Sequence, residues 1–297
     1  MSEAPLRRLL RDVRLLELIA RRNAAGVLAG DYASAVLGSG LVFHEARRYV
    51  QGEPARLIDW NITARAGEPY VRVHQEERQR EIVVALDVSP SMHVGFQART
   101  KLEYAVELAA TLAVSAIEGG DRLGWVVFAD RALEVARPRP GRAQLFRGLQ
   151  AMLAHTGPWT RPVAVSDPRA AIHAIEGQRG GRYVVFLISD FIDHDVPEDL
   201  RYLRARHDVS LLHVFDPVEY APPGPVAFEA VAPEGPSRPR RVRPGAGGAL
   251  GEMQAFLRRA AGRYGIAAVS LASNRPVPSA LAEFFHHKRR LRAGARS

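Results

Sequence analysis

From residue 81 onward, short apolar segments alternate with segments of helical periodicity. Five of the apolar segments are candidate strands: EIVVALD, LGWVVFA, RYVVFLISD, VSLLHVFD and IAAVSLAS. A strand of a parallel sheet is covered on both faces, so its side chains are apolar at consecutive positions instead of alternate ones. These five segments predict buried parallel strands. The more polar segment ALEVARP, residues 132–138, predicts an antiparallel strand at one edge of the sheet.

The segments between these strands predict helices. KLEYAVELAATLAVSAIEGG has one apolar stripe and ends at a pair of glycines, a common stop signal. SDPRAAIHAIEGQ opens with the candidate caps Ser166 and Asp167 and places Pro168 in the first turn. Further helices are predicted in PEDLRYLRARHD, GALGEMQAFLRRAAGRYG and PSALAEFFHHKRR. The alternation predicts an α/β fold, a doubly wound and mostly parallel open sheet with right-handed crossovers.

The first eighty residues have a different pattern. MSEAPLRRLLRDVRLLELIARR alternates Arg and Leu at helical spacing, and PYVRVHQ alternates at the period of two that is typical of a strand. We predict a domain at residues 1–80 that contains this helix and a small strand-containing subdomain. The α/β domain then spans residues 81–297 and includes a Pro- and Gly-rich excursion at about residues 220–248.

Composition narrows the classes of function. The chain has 297 residues, no cysteine and a formal net charge of +9. Without cysteine there is no disulfide and no thiolate zinc site. No apolar run approaches the roughly 18 to 20 residues that span a bilayer, and the start lacks a signal-peptide pattern. We therefore expect a cytoplasmic protein without a membrane partner. The arginines are scattered and no nucleic-acid module accompanies them, so nucleic acid is not the expected partner.

The segment DVSPSM places an unusual set of oxygens at the end of the first sheet strand. Ligands of open α/β sheets bind beyond the carboxyl ends of the strands, and alternate residues of an extended segment point the same way. Asp87, Ser89 and Ser91 are therefore expected to converge there, and Asp190 ends another strand at the same edge. Such hard oxygen ligands suit Mg²⁺. Two adjacent carboxylates repel each other unless a cation lies between them, which favours a divalent ion.

Two other interpretations of this segment are open. Asp87 is compatible with a polar turn in which it caps the next helix. It is also compatible with the nucleophile of a Mg²⁺-dependent phosphohydrolase. Such enzymes carry a second aspartate two residues later as general acid, where this chain has Ser89. The sequence lacks the nucleotide-binding motif G-x-x-x-x-G-K-[ST], the hydrolase motif G-x-S-x-G and the metalloprotease motif H-E-x-x-H. We therefore expect a protein that is not an enzyme.

The segment DVSPSM resembles the D-x-S-x-S signature of von Willebrand factor A domains. Their metal-ion-dependent adhesion site holds a divalent cation at the top of a Rossmann-like sheet. The longer block RRYVQGEPARLIDWNITARAGEPYVRVHQEERQREIVVALDVSPSM resembles bacterial proteins of the domain-of-unknown-function 58 family. Proteins of that family carry such a domain and typically occur with MoxR-type AAA+ ATPases. The resemblance covers most of the chain, from about residue 15 to about residue 285.

The resemblance implies a ligand set and a function. Asp87, Ser89 and Ser91 match the first metal-site motif, and Asp190 matches the aspartate after the fourth sheet strand. In von Willebrand A domains the open position on the metal accepts a Glu or Asp of a partner. The resemblance therefore implies a non-enzymatic, Mg²⁺-dependent adaptor or chaperone-like accessory factor. It would act with a MoxR-type AAA+ ATPase in client maturation or remodelling and bind an acidic side chain of the client.

The middle ligand departs from the family pattern. The family usually has a threonine in a Gly-Thr-Asp-Leu-like stretch before a helix, where this chain has TGPWTRPVAVSDPRAAI. Ser166 aligns best with that threonine, with Thr160 and Thr156 as alternatives. Ser166 is equally compatible with a plain helix N-cap.

Overall fold

The computed structural model describes residues 3–26, 32, 45–50, 54, 58–73, 79–157, 166–192, 198–220, 228–230, 240–242 and 248–294. The described strands are β1 Glu45–Arg48, β2 Tyr70–Val73, β3 Glu81–Asp87, β4 Arg122–Phe128, β5 Ala132–Arg139, β6 Tyr183–Ser189, β7 Asp208–Phe215, β8 Phe228–Ala230, β9 Arg240–Val242 and β10 Ala267–Ala272. The described α-helices are α1 Glu3–Gly26, α2 Trp60–Ala66, α3 Lys101–Glu118, α4 Arg142–Leu153, α5 Pro168–Glu176, α6 Leu200–Arg206, α7 Pro217–Tyr220, α8 Gly248–Tyr264 and α9 Val277–Gly294.

A six-stranded sheet forms the centre of the molecule, with the strand order β10-β7-β6-β3-β4-β5. All pairs are parallel except β4 with β5, which is antiparallel and closes one edge. The five predicted parallel strands and the predicted antiparallel edge strand are thus confirmed. The doubly wound α/β fold is confirmed as well, because helices cover both faces of this sheet.

The central strand β3 shows how the chain fills two cores. Ile82, Val84 and Leu86 belong to one core cluster, which also contains buried residues of α1, α3, α4 and α9. Val83 and Ala85 belong to the other, with residues of α5, α6 and α8. Each of these five side chains is fully buried. Full burial of a large apolar side chain stabilises the fold by about 1.5–3 kcal/mol, which explains why apolar residues occupy consecutive positions here.

Local signals in the sequence place α3 directly after the candidate site. Its N-cap is Thr100, whose hydroxyl accepts a hydrogen bond from the backbone N–H of Glu103 while the Glu103 carboxylate accepts one from the backbone N–H of Thr100. This reciprocal capping box satisfies two helix-terminal donors. The helix ends at Gly119, as predicted.

Helix α4 is not among the helices predicted from the sequence. It follows β5 after two residues, and its N-cap is Gly141, which lies at a φ of 92° and provides no side-chain cap. The usual sequence signal for a helix start is therefore missing. The helix is stabilised by packing instead, because Leu145, Leu149 and Met152 are buried in the core.

The N-terminal segments contact the α/β sheet domain through α1. Val13, Leu16 and Ala20 of this helix lie in the same core cluster as α3 and α4. Strands β1 and β2 form a separate antiparallel pair. The predicted division at residue 80 stays a prediction. Within the predicted excursion, β8 pairs with β9, and the remaining residues between 221 and 247 lie outside the described ranges. Among the described helices, none is both long and apolar enough to cross a bilayer.

Candidate metal centre

Asp87 is the last residue of the central strand and is fully buried. Its Oδ1 accepts a hydrogen bond from the backbone N–H of Ser89 at 2.8 Å. Its Oδ2 accepts two more, from the Ser166 and Ser189 hydroxyls, each at 2.6 Å. The bond from Ser89 is that of a local polar turn, but the two bonds to Oδ2 come from residues far along the chain. Asp87 therefore joins the end of β3 to the end of β6 and to the segment before α5. It does not cap the next α-helix, since Thr100 does so.

The side chains of Ser89 and Ser91 lie close together, but the backbone conformation that brings them together differs from the predicted one. The prediction assumes an extended segment from Asp87 to Ser91, but a 3₁₀-helix runs over Pro90–His93. Proline has φ fixed at about −65° and so favours the first turn of a helix. The Ser89 and Ser91 hydroxyl oxygens nevertheless lie 3.1 Å apart, and both residues are fully buried.

Asp190 lies at the same edge, directly after β6, as the sequence predicts. It is 1% exposed, and its Oδ1 accepts a hydrogen bond from the Ile192 N–H at 3.3 Å. Burial and the negative charge of Asp190 together raise the pKa of Asp87 to about 7, although hydrogen bonds from Ser166, Ser189 and Ser89 oppose that rise. The two carboxylates therefore repel each other, which is the electrostatic situation that a cation relieves.

The backbone beside Asp190 is strained. Among the described non-glycine residues, Phe191 is the one with positive φ, at 49°. A non-glycine residue in this region costs on the order of 1–3 kcal/mol, and such conformations concentrate at functional sites. The conformation places the Phe191 N–H 3.0 Å from the Ser189 hydroxyl oxygen. Ser189 is thus held in the position from which it donates to Asp87.

Of the three candidates for the middle ligand, the structure describes Ser166 and Thr156, and it places only Ser166 in contact with Asp87. Ser166 is 1% exposed and donates to Asp87, whereas the cap of α5 is Asp167, whose Oδ1 accepts from the Arg169 N–H at 2.9 Å. The Thr156 hydroxyl donates to the Leu153 carbonyl at the end of α4. Thr160 lies outside the described residues. Ser166 is therefore positioned beside Asp87, and its ligation of a metal stays a prediction.

Two charged residues that the sequence analysis did not assign to the site complete it, one buried and one half-buried. Lys101, the first residue of α3, is fully buried, and its Nζ lies 2.9 Å from Asp190 Oδ2 and 2.7 Å from Glu219 Oε1. Burial alone would lower the pKa of Lys101, but the two carboxylates outweigh burial and raise it. Burial raises the pKa of Glu219, partly offset by the Lys101 charge. Lys101 is one of only two lysines in the chain, the one sequence feature that distinguishes it.

A buried histidine lies beside this cluster on β7. The Nδ1 of His213 is 3.0 Å from the Ser270 hydroxyl, and its ring stacks on Phe215 and lies near Phe191. Burial lowers the pKa of His213 to about 4, which places the neutral ring next to the charged groups at neutral pH. The His213 side chain thus lines the cluster as a neutral imidazole and adds no charge to it.

The oxygen atoms at this edge of the sheet are candidate ligands for a divalent cation. Among the described residues, no three His, Cys, Asp or Glu side chains are grouped as a metal site, so a cation would depend on hydroxyl oxygens as well as carboxylates. The candidate donors are Asp87, Ser89, Ser91, Ser166 and Asp190, all at most 1% exposed. These are the hard oxygens that Mg²⁺ prefers. The set fits Mg²⁺ chemically, while the Lys101 ammonium already offsets part of the Asp190 charge.

Comparison with known proteins gives a family match. Residues 45–235 match the sequence family described as "Protein of unknown function DUF58". Uncharacterized proteins of Mycobacterium bovis and Mycobacterium tuberculosis are each 32% identical to this chain over 206 residues, which cover 69% of this chain and 64% of theirs. The match thus spans slightly less than two thirds of the length of these relatives.

Solved structures with similar chains were also found. The conserved hypothetical protein BatB from Bacteroides thetaiotaomicron has a TM-score of 0.47 and 19% identity, over 71% of this chain and 99% of its own. The von Willebrand factor type A protein from Catenulispora acidiphila has a TM-score of 0.41 and 13% identity, over 72% of this chain and 43% of its own.

Proposed function

The chain belongs to the DUF58 family of proteins of unknown function, and from this premise and the geometry at Asp87 we propose that it is a metal-dependent protein-binding adaptor. In this proposal the protein is not an enzyme. It captures an acidic side chain of a client and acts with a MoxR-type AAA+ ATPase in client maturation or remodelling. One observation carries the proposal: two buried carboxylates and three buried hydroxyls gather at the carboxyl ends of β3 and β6.

The site residues have separate roles in this proposal. Asp87 and Asp190 would hold a divalent cation by charge, and the hydroxyl oxygens of Ser89, Ser91 and Ser166 would complete the protein's ligands. Once bound, the ion supplies an electrophilic anchor for an incoming carboxylate. Hydroxyl ligands carry no charge, so a set that is poor in carboxylates leaves positive character on the ion.

Ser189 and Lys101 support this donor set from behind. Ser189 donates to Asp87 Oδ2 and thereby fixes the orientation of the carboxylate. Lys101 holds Asp190 by an ion pair of 2.9 Å. A ligand held by buried neighbours loses little conformational entropy when the metal binds, which favours binding.

The Mg²⁺-dependent phosphohydrolase stays an untested alternative, and the geometry around Asp87 does not favour it. Both carboxylate oxygens of Asp87 accept hydrogen bonds within the protein, and the residue is fully buried. An attacking carboxylate needs an exposed oxygen. At the position of the general acid the chain has Ser89.

Isothermal titration calorimetry with Mg²⁺ tests the metal part of the proposal. The expected result is saturable binding to the unmodified chain and none to Asp87→Ala. A suitable control is Asp130→Ala, which removes an exposed carboxylate just after β4 at the same edge of the sheet and should leave binding unchanged. Circular dichroism establishes that each variant is folded. Absence of Mg²⁺ binding to the folded, unmodified chain would refute the metal-dependent adaptor.

Co-purification with a MoxR-type ATPase of the same organism tests the partner. The complex is expected in Mg²⁺ and lost in EDTA or with Asp87→Ala, while Asp130→Ala retains it. Binding that persists in EDTA would contradict metal-dependent capture. A generic aryl phosphate assayed in parallel separates the alternative, because phosphate release that depends on Asp87 would support a phosphohydrolase.

A further inference from the structure

Strand β10 ends the sheet on the side opposite to β5, and in the described chain it pairs with β7 alone. The Ser273 N–H donates to the Phe215 carbonyl of β7. Since the backbone groups of successive residues face opposite sides of a strand, those of Ala268 and Ser270 point away from β7. Among the residues that the structure describes, no other strand pairs with these donors and acceptors, which have the geometry that accepts a further strand.

The two edges of the sheet differ in how they are protected. Strand β5 has the sequence ALEVARPR, with charged residues, a proline and register irregularities against β4. Charges, proline and bulges are the usual means by which edge strands avoid pairing with other chains. Strand β10 has the sequence AAVSLA, with neither charge nor proline, over six residues. The β10 edge therefore lacks the protection that the β5 edge has.

The exposed side of β10 forms the floor of a groove of about 700 Å³. Helices α8 and α9 lie on opposite faces of the sheet and form its two walls. We call this the β10 groove and define it by Ala268 and Val269 of the strand, Leu257 and Arg258 of α8, and Arg290 and Leu291 of α9. Apolar side chains lie deep between the walls, and the exposed Leu291 extends the apolar surface at the rim. A groove of this shape suits an extended peptide.

The free charge of the groove is positive. The two carboxylates that line it are already paired, Asp208 with Lys288 at 3.2 Å and Glu283 with Arg275 at 2.7 Å. Arg258 and Arg290 are exposed on the two walls. Neither forms an ion pair with any residue that the structure describes. An occupant with acidic side chains is complementary to these walls.

We propose that the β10 groove is a docking site for an extended, acidic peptide segment of a partner protein, which adds to the sheet as a strand beside β10. Backbone hydrogen bonds to Ala268 and Ser270 supply affinity, and alternate side chains of the peptide contact Val269 and the helix walls. A second copy of this chain is a poorer occupant, because both copies would bring their arginines together. The proposal is independent of a metal at Asp87, which lies at the carboxyl end of the sheet.

A displayed library of random peptides, selected against the full chain in EDTA, identifies the occupant. We expect enriched sequences that alternate apolar and acidic residues. Fluorescence anisotropy then measures an enriched peptide against variants. Ala268→Pro removes an outward N–H without breaking a bond to β7 and should weaken binding at least tenfold, whereas Ala268→Val keeps the N–H and should not. Arg258→Glu with Arg290→Glu should weaken binding by a similar factor, and Arg259→Glu, outside the groove, should not.

Several results would overturn the proposal. No enrichment, enrichment of basic or helical sequences, or equal binding to Ala268→Pro and Ala268→Val would each exclude strand addition of an acidic peptide at β10. Concentration-dependent dimers of the unmodified chain that are lost in Ala268→Pro would assign the edge to a second copy instead. Because all measurements are made in EDTA, failure here leaves the Mg²⁺ titration of the Asp87 site unaffected.

Discussion

Replacing Lys101 by methionine is expected to destabilise the protein strongly and to make its stability depend on Mg²⁺. The ammonium is fully buried between Asp190 and Glu219, so the substitution leaves the buried Asp190 carboxylate and the half-buried Glu219 carboxylate without their counter-ion. Methionine has nearly the same length as the lysine stem, which keeps the packing change small. The variant therefore removes a charge more than it removes volume.

The magnitude follows from the two distances. At 2.9 and 2.7 Å and an effective dielectric constant of about 20, each ion pair has a gross attraction of about 6 kcal/mol. Removal of the lysine recovers its desolvation cost, which is several kcal/mol, and exposes the two carboxylates to their mutual repulsion. The net loss expected on breaking such a buried pair is about 3–5 kcal/mol. Domains are stable by about 5–15 kcal/mol, so the loss removes a large fraction of the stability and is large enough to measure by unfolding.

Urea unfolding followed by circular dichroism, in EDTA and in excess Mg²⁺, measures the effect. Mg²⁺ is expected to restore more stability to Lys101→Met than it adds to the unmodified protein, because the cation then supplies the only nearby positive charge among the described groups. Ligand present at a hundred times its Kd adds about 2.7 kcal/mol. The gain should appear as a shift of the urea midpoint at constant slope.

Lys288→Met is the matched control. Lys288 is the other lysine of the chain and is also buried, with its Nζ 3.0 Å from the Ser210 hydroxyl and 3.2 Å from Asp208 Oδ2. Asp208 begins β7, so this pair lies at the end of the sheet opposite to Asp190. Lys288→Met should lose stability without rescue by Mg²⁺. If Mg²⁺ rescues neither variant, or both equally, the assignment of a cation site next to Lys101 is wrong.

Three further predictions concern other parts of the structure. Ser166→Ala should weaken Mg²⁺ binding at least tenfold in calorimetry, while Thr156→Ala, whose hydroxyl bonds within its own helix end, should leave binding unchanged. The pKa of His213 is about 6.5 in the unfolded chain and about 4 in the folded protein, so the unfolded chain takes up the proton first and about 3 kcal/mol of stability should be lost as the pH falls from 6.5 to 4. In His213→Gln the urea midpoint should therefore depend less on pH over that range. An unchanged pH profile in this variant would contradict the assignment. Gly124→Ala should cost about 1–3 kcal/mol, because a Cβ would lie 2.7 Å from the Ala136 carbonyl oxygen, whereas Gly262→Ala meets nothing within 4 Å and should be neutral or stabilising in thermal melts.

The sequence predicts those parts of the structure that follow from local patterns along the chain or from general rules for parallel sheets. The buried strands follow from consecutive apolar residues, and the position of Asp87 and Asp190 follows from the shared edge of parallel strands. The missed helix α4 has no side-chain cap at Gly141, so its start carries no local signal. Its apolar face stabilises the helix only when the sheet is present to cover that face.

The pairing of Lys101 with Glu219 could not be predicted from the sequence for a different reason. They are 118 positions apart, and each looks like an ordinary charged residue near a helix end. Lysine and glutamate are almost never fully buried unless they are paired, so the prior expectation for each residue alone is a solvated surface position. Their pairing arises from the sheet order, which brings the ends of β6 and β7 next to the start of α3.

The charges at this site imply that it can bind an acidic side chain of a client only when it also binds a metal. Asp190 and Glu219 both pair with the single Lys101 ammonium, and the charge of Asp87 interacts with that of Asp190, so these groups without metal are net negative even when Asp87 is protonated. Such a site repels a further carboxylate, and a divalent cation removes the net negative charge. Binding of an acidic client at this edge should therefore require the metal. An acidic segment that binds the chain equally well in EDTA must bind elsewhere, and the arginine-lined groove at β10 is a surface whose charge permits it.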